Sequence, residues 1–184
     1  MKQFIICPEC RSFELAQIES RVPARWDFYR CTKCRQLIPG DERLLAKAIS
    51  IKQPWSFLIA SGIKDVENRT WQTKFRGRVL LHAGAKRQTG ILDSENSTMT
   101  DKQWEAIGER GRVECVISDS PTSAIIGSVE IVNCMSVKIN GAGSKSIWAE
   151  LGYFHWILRN PILFEKPILN VKGALSFFTP LLPL

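Results

Sequence analysis

The chain has 184 residues, with 25 Lys plus Arg against 18 Asp plus Glu and a formal net charge of +7. With 45% hydrophobic and 23% charged residues, its composition is that of a folded globular protein and excludes global disorder. No run approaches the ~18 apolar residues of a membrane-spanning helix, and residues 1–10 lack a basic stretch followed by an apolar one, so a cytoplasmic protein, or a nuclear one in a eukaryote, is expected, with no membrane partner.

The first unit is marked by cysteine. Cys7-Pro8-Glu9-Cys10 and Cys31-Thr32-Lys33-Cys34 are two CxxC pairs twenty residues apart. In a reducing compartment such pairs point to metal before disulfides, because each pair forms a tight turn whose amides can hydrogen-bond thiolate sulfur. Four thiolates leave no open position for water, so the expected cofactor is one structural Zn2+ held by Cys7, Cys10, Cys31 and Cys34. Residues 13–20 and 26–29 alternate as short strands around Val22-Pro23-Ala24, which predicts a β-hairpin between the two pairs. About 40 residues bury too little to fold alone, so the metal would supply the missing stability. A tetrathiolate zinc carries a charge of −2, which lowers the effective net charge from +7 to about +5.

After a connector at 37–42 the composition changes. Residues 44–51 read as a strand, and Pro54 opens a short helix of about two turns that Gly62 ends. Strands follow at 64–71 and 78–82. Residues 88–100 are polar and read as an insertion, and 101–110 as a short helix. Residues 124–137 form the clearest strand, with Cys134 facing the core, and 146–151 read as a helical turn. Residues 153–164 are a further strand interrupted at Asn160-Pro161, and 172–174 lead into an apolar close. No repeated βαβ unit occurs. The expected fold is α+β and mainly β: a zinc-ribbon hairpin over 1–44, then a small barrel over 45–184 with one or two short helices and a polar insertion near 86–122.

The positive charge is localised. Residues 46–90 contain nine Lys or Arg and two acidic residues, whereas residues 91–140 contain four and eight. Lys52, Lys64, Arg69, Arg76 and Arg78 are interleaved with Trp55, Trp71 and Phe75, the mixture that phosphates and flat bases select.

The blocks Ser50-Ile51-Lys52-Gln53-Pro54-Trp55, Gly62-Ile63-Lys64-Asp65-Val66-Glu67-Asn68-Arg69-Thr70-Trp71 and Arg76-Gly77-Arg78-Val79-Leu80-Leu81-His82-Ala83-Gly84 occur in this order. Further matches are residues 124–132 and Trp156 with Asn160-Pro161 ahead of Val171-Lys172-Gly173. Together these resemble the ASCH domain family (activating signal cointegrator homology) over about residues 46–178. The resemblance implies a PUA-like β-barrel, related to modules that bind RNA or modified bases, with functional positions at Lys52, Lys64, Glu67 and Arg69. Some relatives have amidohydrolase or ribonuclease activity. The amidohydrolases pair a lysine after the glycine with a threonine three positions later, where this chain has Lys64 and Glu67.

The residues can be weighed individually. Lys52, Gln53, Pro54 and Trp55 meet at a strand-to-helix junction, where amides and a cation favour a phosphate or carbonyl. Strand alternation puts Lys64, Val66 and Asn68 on one face and Asp65, Glu67 and Arg69 on the other, so one cleft receives only one set unless a bulge intervenes. Arg76 and Arg78 flank Gly77 as a phosphate clamp or as a solvated turn, and His82 is a cleft contact or a barrel residue. Trp71, Trp148, Tyr153, Phe154 and Trp156 are candidate walls for base stacking. These features predict binding of single-stranded or modified RNA through Lys52, Gln53, Pro54, Trp55, Lys64, Glu67, Arg69, Trp71, Arg76 and His82. Two alternatives stand beside it: a nucleoside amidohydrolase or ribonuclease using Lys64 and Glu67, and an adaptor that docks a protein partner through the zinc ribbon.

Overall fold

The computed structural model describes residues 17–18, 28–30, 33, 37–39, 47–88, 98–108, 119–136 and 144–180. Cys7, Cys10, Cys31 and Cys34 lie outside the described residues. The N-terminal segment contributes three short antiparallel strands, β1 (Gln17–Ile18), β2 (Phe28–Arg30) and β3 (Leu37–Pro39), in the order β1-β2-β3. Residues 37–39, read from sequence as connector, are therefore a strand. Pro39 is the last residue of β3, which among the described strands lies at an edge of that sheet, the place where proline is admitted.

The second sheet has six strands: β4 (Ala48–Gln53), β5 (Val66–Arg69), β6 (Gly77–Arg87), β7 (Ala124–Ser136), β8 (Phe154–Ile168) and β9 (Phe177–Phe178). Their order is β5-β8-β7-β6-β4-β9, and only β4 and β6 run parallel. The sheet curls until its two edges meet. Phe177 of β9 stacks on Trp156 of β8 at 5.4 Å, Trp71 just after β5 meets Phe177 edge-on at 5.7 Å, and Arg69 Nη2 donates to the Ser50 carbonyl on β4 at 2.8 Å. The buried side chains of one continuous core, among them Ile49, Val79, Leu81, Ile126, Val129, Ile131 and Trp156, fill the inside of the curl. This mainly-β half-barrel with few helices is consistent with a PUA-like fold. Among the described residues no helix is long and apolar enough to cross a membrane.

Strand β8 continues through Asn160-Pro161 instead of being interrupted there. Asn160 takes up φ 49, and β5 pairs β8 only over Phe154 to Ile157, so Pro161 lies where that side has no partner strand. Helix α1 (Trp55–Ala60) follows β4 directly and buries Ser56, Leu58, Ile59 and Ala60 against the sheet. Pro54 is its N-cap and not its first helical residue, and Gly62 at φ 82 makes the left-handed exit that a side chain would strain. Helix α2 (Asp101–Ile107) starts at a reciprocal capping box between Thr100 and Gln103 and packs Trp104 and Ile107 against Leu58, Val66 and Trp148. Residues 146–149 form a turn closed by the Ala149 amide on the Ser146 carbonyl, not a helix.

Candidate functional site

Where β4 passes into α1, and where β5 runs toward the closing edge, the half-barrel leaves a cleft of about 360 Å³. Ser50, Lys52 and Trp55 line one side, Glu67, Asn68 and Arg69 the other, and Ile51 and Gly84 complete it. Glu67 is 8% exposed, and its Oε1 lies 3.0 Å from Arg69 Nε. The Nε–H is not aimed at that oxygen and has no hydrogen-bond partner, so the pair is held by charge more than by a shared proton. Arg69 is anchored at its other end by the Ser50 carbonyl, and its guanidinium sits 5.7 Å from the Trp156 ring centre. The result is a carboxylate and a guanidinium side by side beneath a half-buried indole, with exposed Lys52 at the rim.

Alternation along β5 explains which residues face inward. Glu67 and Arg69 share the cleft face. The Asn68 side chain is spent elsewhere, donating to the Trp148 carbonyl at 2.9 Å and accepting from the Glu150 amide at 3.2 Å. Lys64 does not line the cleft. It is 5% exposed, donates to the Val66 carbonyl, and has Trp55 and Trp148 ring centres at 5.6 and 5.9 Å from its Nζ. Burial lowers its pKa below the usual lysine value, against opposing contributions from Glu67, Glu150 and Asp65 and with a smaller lowering from Arg69.

The remaining sequence-derived candidates are held outside the cleft. Gln53 is fully buried, donating to the Pro121 carbonyl at 2.9 Å and accepting from the Phe57 amide at 3.2 Å, so one amide of the helix start is already satisfied. It faces a second, smaller apolar cavity of about 170 Å³, shared with Phe57, Pro121 and Phe164. Trp71 packs edge-on against Trp156 at 4.6 Å inside the aromatic core. Arg76 donates to the Thr73 and Phe75 carbonyls and to Asn133 Oδ1, and Arg78 pairs with Glu130 at 3.0 Å, so both guanidinium groups fasten the sheet.

His82 is 1% exposed and buried behind β4. Its Nε2 lies 2.9 Å from the Val171 carbonyl, which can only accept, so Nε2 carries the proton and Nδ1 accepts from the Ser50 hydroxyl at 3.0 Å. Burial lowers its pKa from 6.5, outweighing the opposing Val171 hydrogen bond. The unfolded chain therefore binds the proton first as pH falls. The stability His82 contributes should be complete above about pH 6.5 and decline below it, as the unfolded histidine protonates and until the folded one does. Urea midpoints between pH 8 and pH 5 should fall less steeply for His82→Gln than for the wild type.

Ser50, Ile51, Asn68 and Gly84 line the cleft but were not singled out in sequence. Only Ser50 had a readable signal, two positions before Lys52 on the same strand face. Among the described residues no group of three or more His, Cys, Asp or Glu could hold a metal ion.

Residues 49–168 match the family model of the ASCH domain. The chain is also 33% identical over 90 residues to activating signal cointegrator 1 of Homo sapiens and, to the same degree, of Mus musculus, a match that covers 49% of this chain. It spans 14% of the length of each of those relatives.

Proposed function

Because the chain belongs to the ASCH domain family, we propose that it binds single-stranded nucleic acid, RNA in preference to DNA, by taking one unstacked base into the cleft between Trp55 and the Glu67–Arg69 pair. One observation carries this reading: an aromatic wall, a carboxylate acceptor, a guanidinium donor and a cationic rim converge on one cavity of about 360 Å³. Each Watson–Crick edge places a hydrogen-bond donor beside an acceptor, and Glu67 with Arg69 offers the complement. Trp55 supplies a face for stacking, and Lys52 supplies a charge for the adjoining phosphate. Binding is favoured over turnover because Lys64, which the amidohydrolase alternative requires, lies outside the lining of the cleft.

Labelled single-stranded RNA, its DNA counterpart and a duplex, titrated by fluorescence anisotropy from 50 to 300 mM salt, test the reading. The RNA strand should bind tightest, and Lys52→Ala should reduce the slope of log K against log salt by about 0.7, one single-strand phosphate. No binding of any strand at the lowest salt would overturn the proposal.

The N-terminal segment is proposed to hold one structural zinc through Cys7, Cys10, Cys31 and Cys34. Strands β2 and β3 pair antiparallel with Arg30 opposite Leu37, and in sequence they flank Cys31 and Cys34, which supports a CxxC knuckle carried between two strands. Elemental analysis should find one zinc per chain, lost in the double variant Cys31→Ser, Cys34→Ser, and a metal-free wild type would sink the assignment.

A further inference from the structure

Lys64 poses a physical problem that the binding reading leaves unsolved. A cation removed from water is costly unless something replaces its hydration. Yet Lys64 forms no ion pair with the described residues and donates one hydrogen bond, to the Val66 carbonyl. Glu67, Glu150 and Asp65 favour its charge from a distance, and the groups closest around the ammonium are aromatic. Trp55 and Trp148 meet edge to face with ring centres 6.2 Å apart at 74°, and the ammonium lies within 6 Å of both. At that distance the negative ring faces attract a cation, and the attraction grows as water is excluded.

The two indoles are not equivalent. Trp148 is a fixed post: its Nε1 donates to the Ile63 carbonyl at 2.9 Å, its own carbonyl accepts from Asn68, and its ring is 3% exposed. Trp55 is half-buried, sits at the first position of α1 and lines the cleft. Its ring packs partly against the core and edge-on against Trp148, and the Lys64 ammonium adds a charged contact on the same ring. We propose that Lys64 is a positioning residue: its ammonium, held between Trp148 and Trp55, fixes the Trp55 indole as the stacking wall of the cleft without touching the ligand itself. The ligand part of this inference rests on the nucleic-acid reading above, while the holding of Trp55 does not.

The prediction separates Lys64 from Lys52. A lysine that contacts phosphate changes the salt dependence of binding when removed; one that acts through an indole changes affinity at every salt concentration alike. Lys64→Met, nearly equal in length and uncharged, should weaken single-stranded RNA binding roughly five- to tenfold with the salt slope unchanged. Lys64→Arg, which keeps a cation for the ring faces, should restore most of the affinity.

The deciding experiment is run on full-length protein labelled with 5-fluorotryptophan, the Trp55 resonance being assigned by Trp55→Phe. Without ligand, Lys64→Met and the independent variant Trp148→Phe should both shift or broaden the Trp55 signal, and Lys64→Arg should leave it near the wild-type position. Anisotropy titrations on the same proteins then compare salt slopes. An unmoved Trp55 resonance in folded Lys64→Met protein overturns the inference, as does a slope lowered by about 0.7, which would make Lys64 a direct phosphate contact. Should Lys64→Met fail to fold, Trp148→Phe and Lys64→Arg still decide through the same resonance. If the wild type bound no nucleic acid, the function proposed above would fall while the Trp55 signal still judged Lys64.

Discussion

Gly127→Ala is expected to cost about 3 kcal/mol of folding stability, the upper part of the range for a forced overpacking. The reason is space and not backbone conformation. A Cβ at Gly127 would lie 2.2 Å from the Ile162 carbonyl oxygen and 3.2 Å from Ala60 Cβ. The first is backbone of β8 and the second belongs to α1, so neither can rotate away. Register shifts on both sides of Gly127 lean the Ile162 carbonyl over β7, and α1 packs on the same spot. Relief would require parting β7 from β8, the longest pairing in the sheet, or lifting α1 and with it the Trp55 side of the cleft. For a chain of 184 residues the thermal midpoint should fall by about 6–12 °C. Gly84→Ala is the matched control. Its added Cβ would meet nothing nearer than the Ile51 carbonyl at 3.7 Å, an ordinary contact, and its midpoint should stay within about 2 °C of wild type. Equal midpoints for the two variants would show that β7 and β8 are not so closely apposed.

Much of this architecture can be read one residue at a time. Two-residue alternation at 64–69 separates Lys64 from Glu67 and Arg69, and the folded β5 places Glu67 and Arg69, with Asn68 between them, along the cleft that Lys64 does not line. Gly62 as a helix exit and residues 124–136 as a strand were likewise legible, because both depend on local conformation and patterning. The burial of Lys64 was not. It arises from Trp55 and Trp148, whose approach depends on a turn far along the chain being pinned by Asn68 and Ile63. Arg76 and Arg78 illustrate the same limit from the other side. A basic pair around glycine looks available for phosphate until β7 brings Asn133 and Glu130 up to it and the Thr73, Phe75 and Asn160 carbonyls accept from it. His82 is decided by the segment at Val171, which no spacing rule connects to it. Charge composition located the basic segment, and tertiary contacts determined which of its cations remain free for a ligand.

Arg69→Ala is expected to weaken single-stranded RNA binding roughly 10- to 100-fold, the range for losing a hydrogen bond to a charged group. The effect should be large because one side chain has three tasks. It offers a donor to the cleft, balances the Glu67 carboxylate, and ties β5 to the Ser50 carbonyl on β4. Removing it takes from Glu67, 8% exposed, its closest countercharge and leaves only the weaker attraction of Lys64, so a stability loss of about 2 kcal/mol should accompany the binding loss, smaller than for a fully buried pair because the cleft admits water. The two effects can be separated. Adding Glu67→Ala to Arg69→Ala should restore part of the stability, since no buried carboxylate then remains uncompensated, but none of the affinity, since the ligand edge has lost both partners. A double-mutant cycle from urea unfolding should give a coupling of about 1 kcal/mol or more between the pair. Arg69→Lys should rescue neither property fully: one ammonium cannot hold the Ser50 carbonyl, face Glu67 and present a second donor to a ligand as a planar guanidinium does. Anisotropy at one fixed salt concentration, on protein shown to be folded by its urea transition, supplies the affinities. If Arg69→Ala were folded and bound as tightly as wild type, the ligand would have to lie outside this cleft, since no base could occupy the cavity beside Glu67 without meeting the place the guanidinium had left.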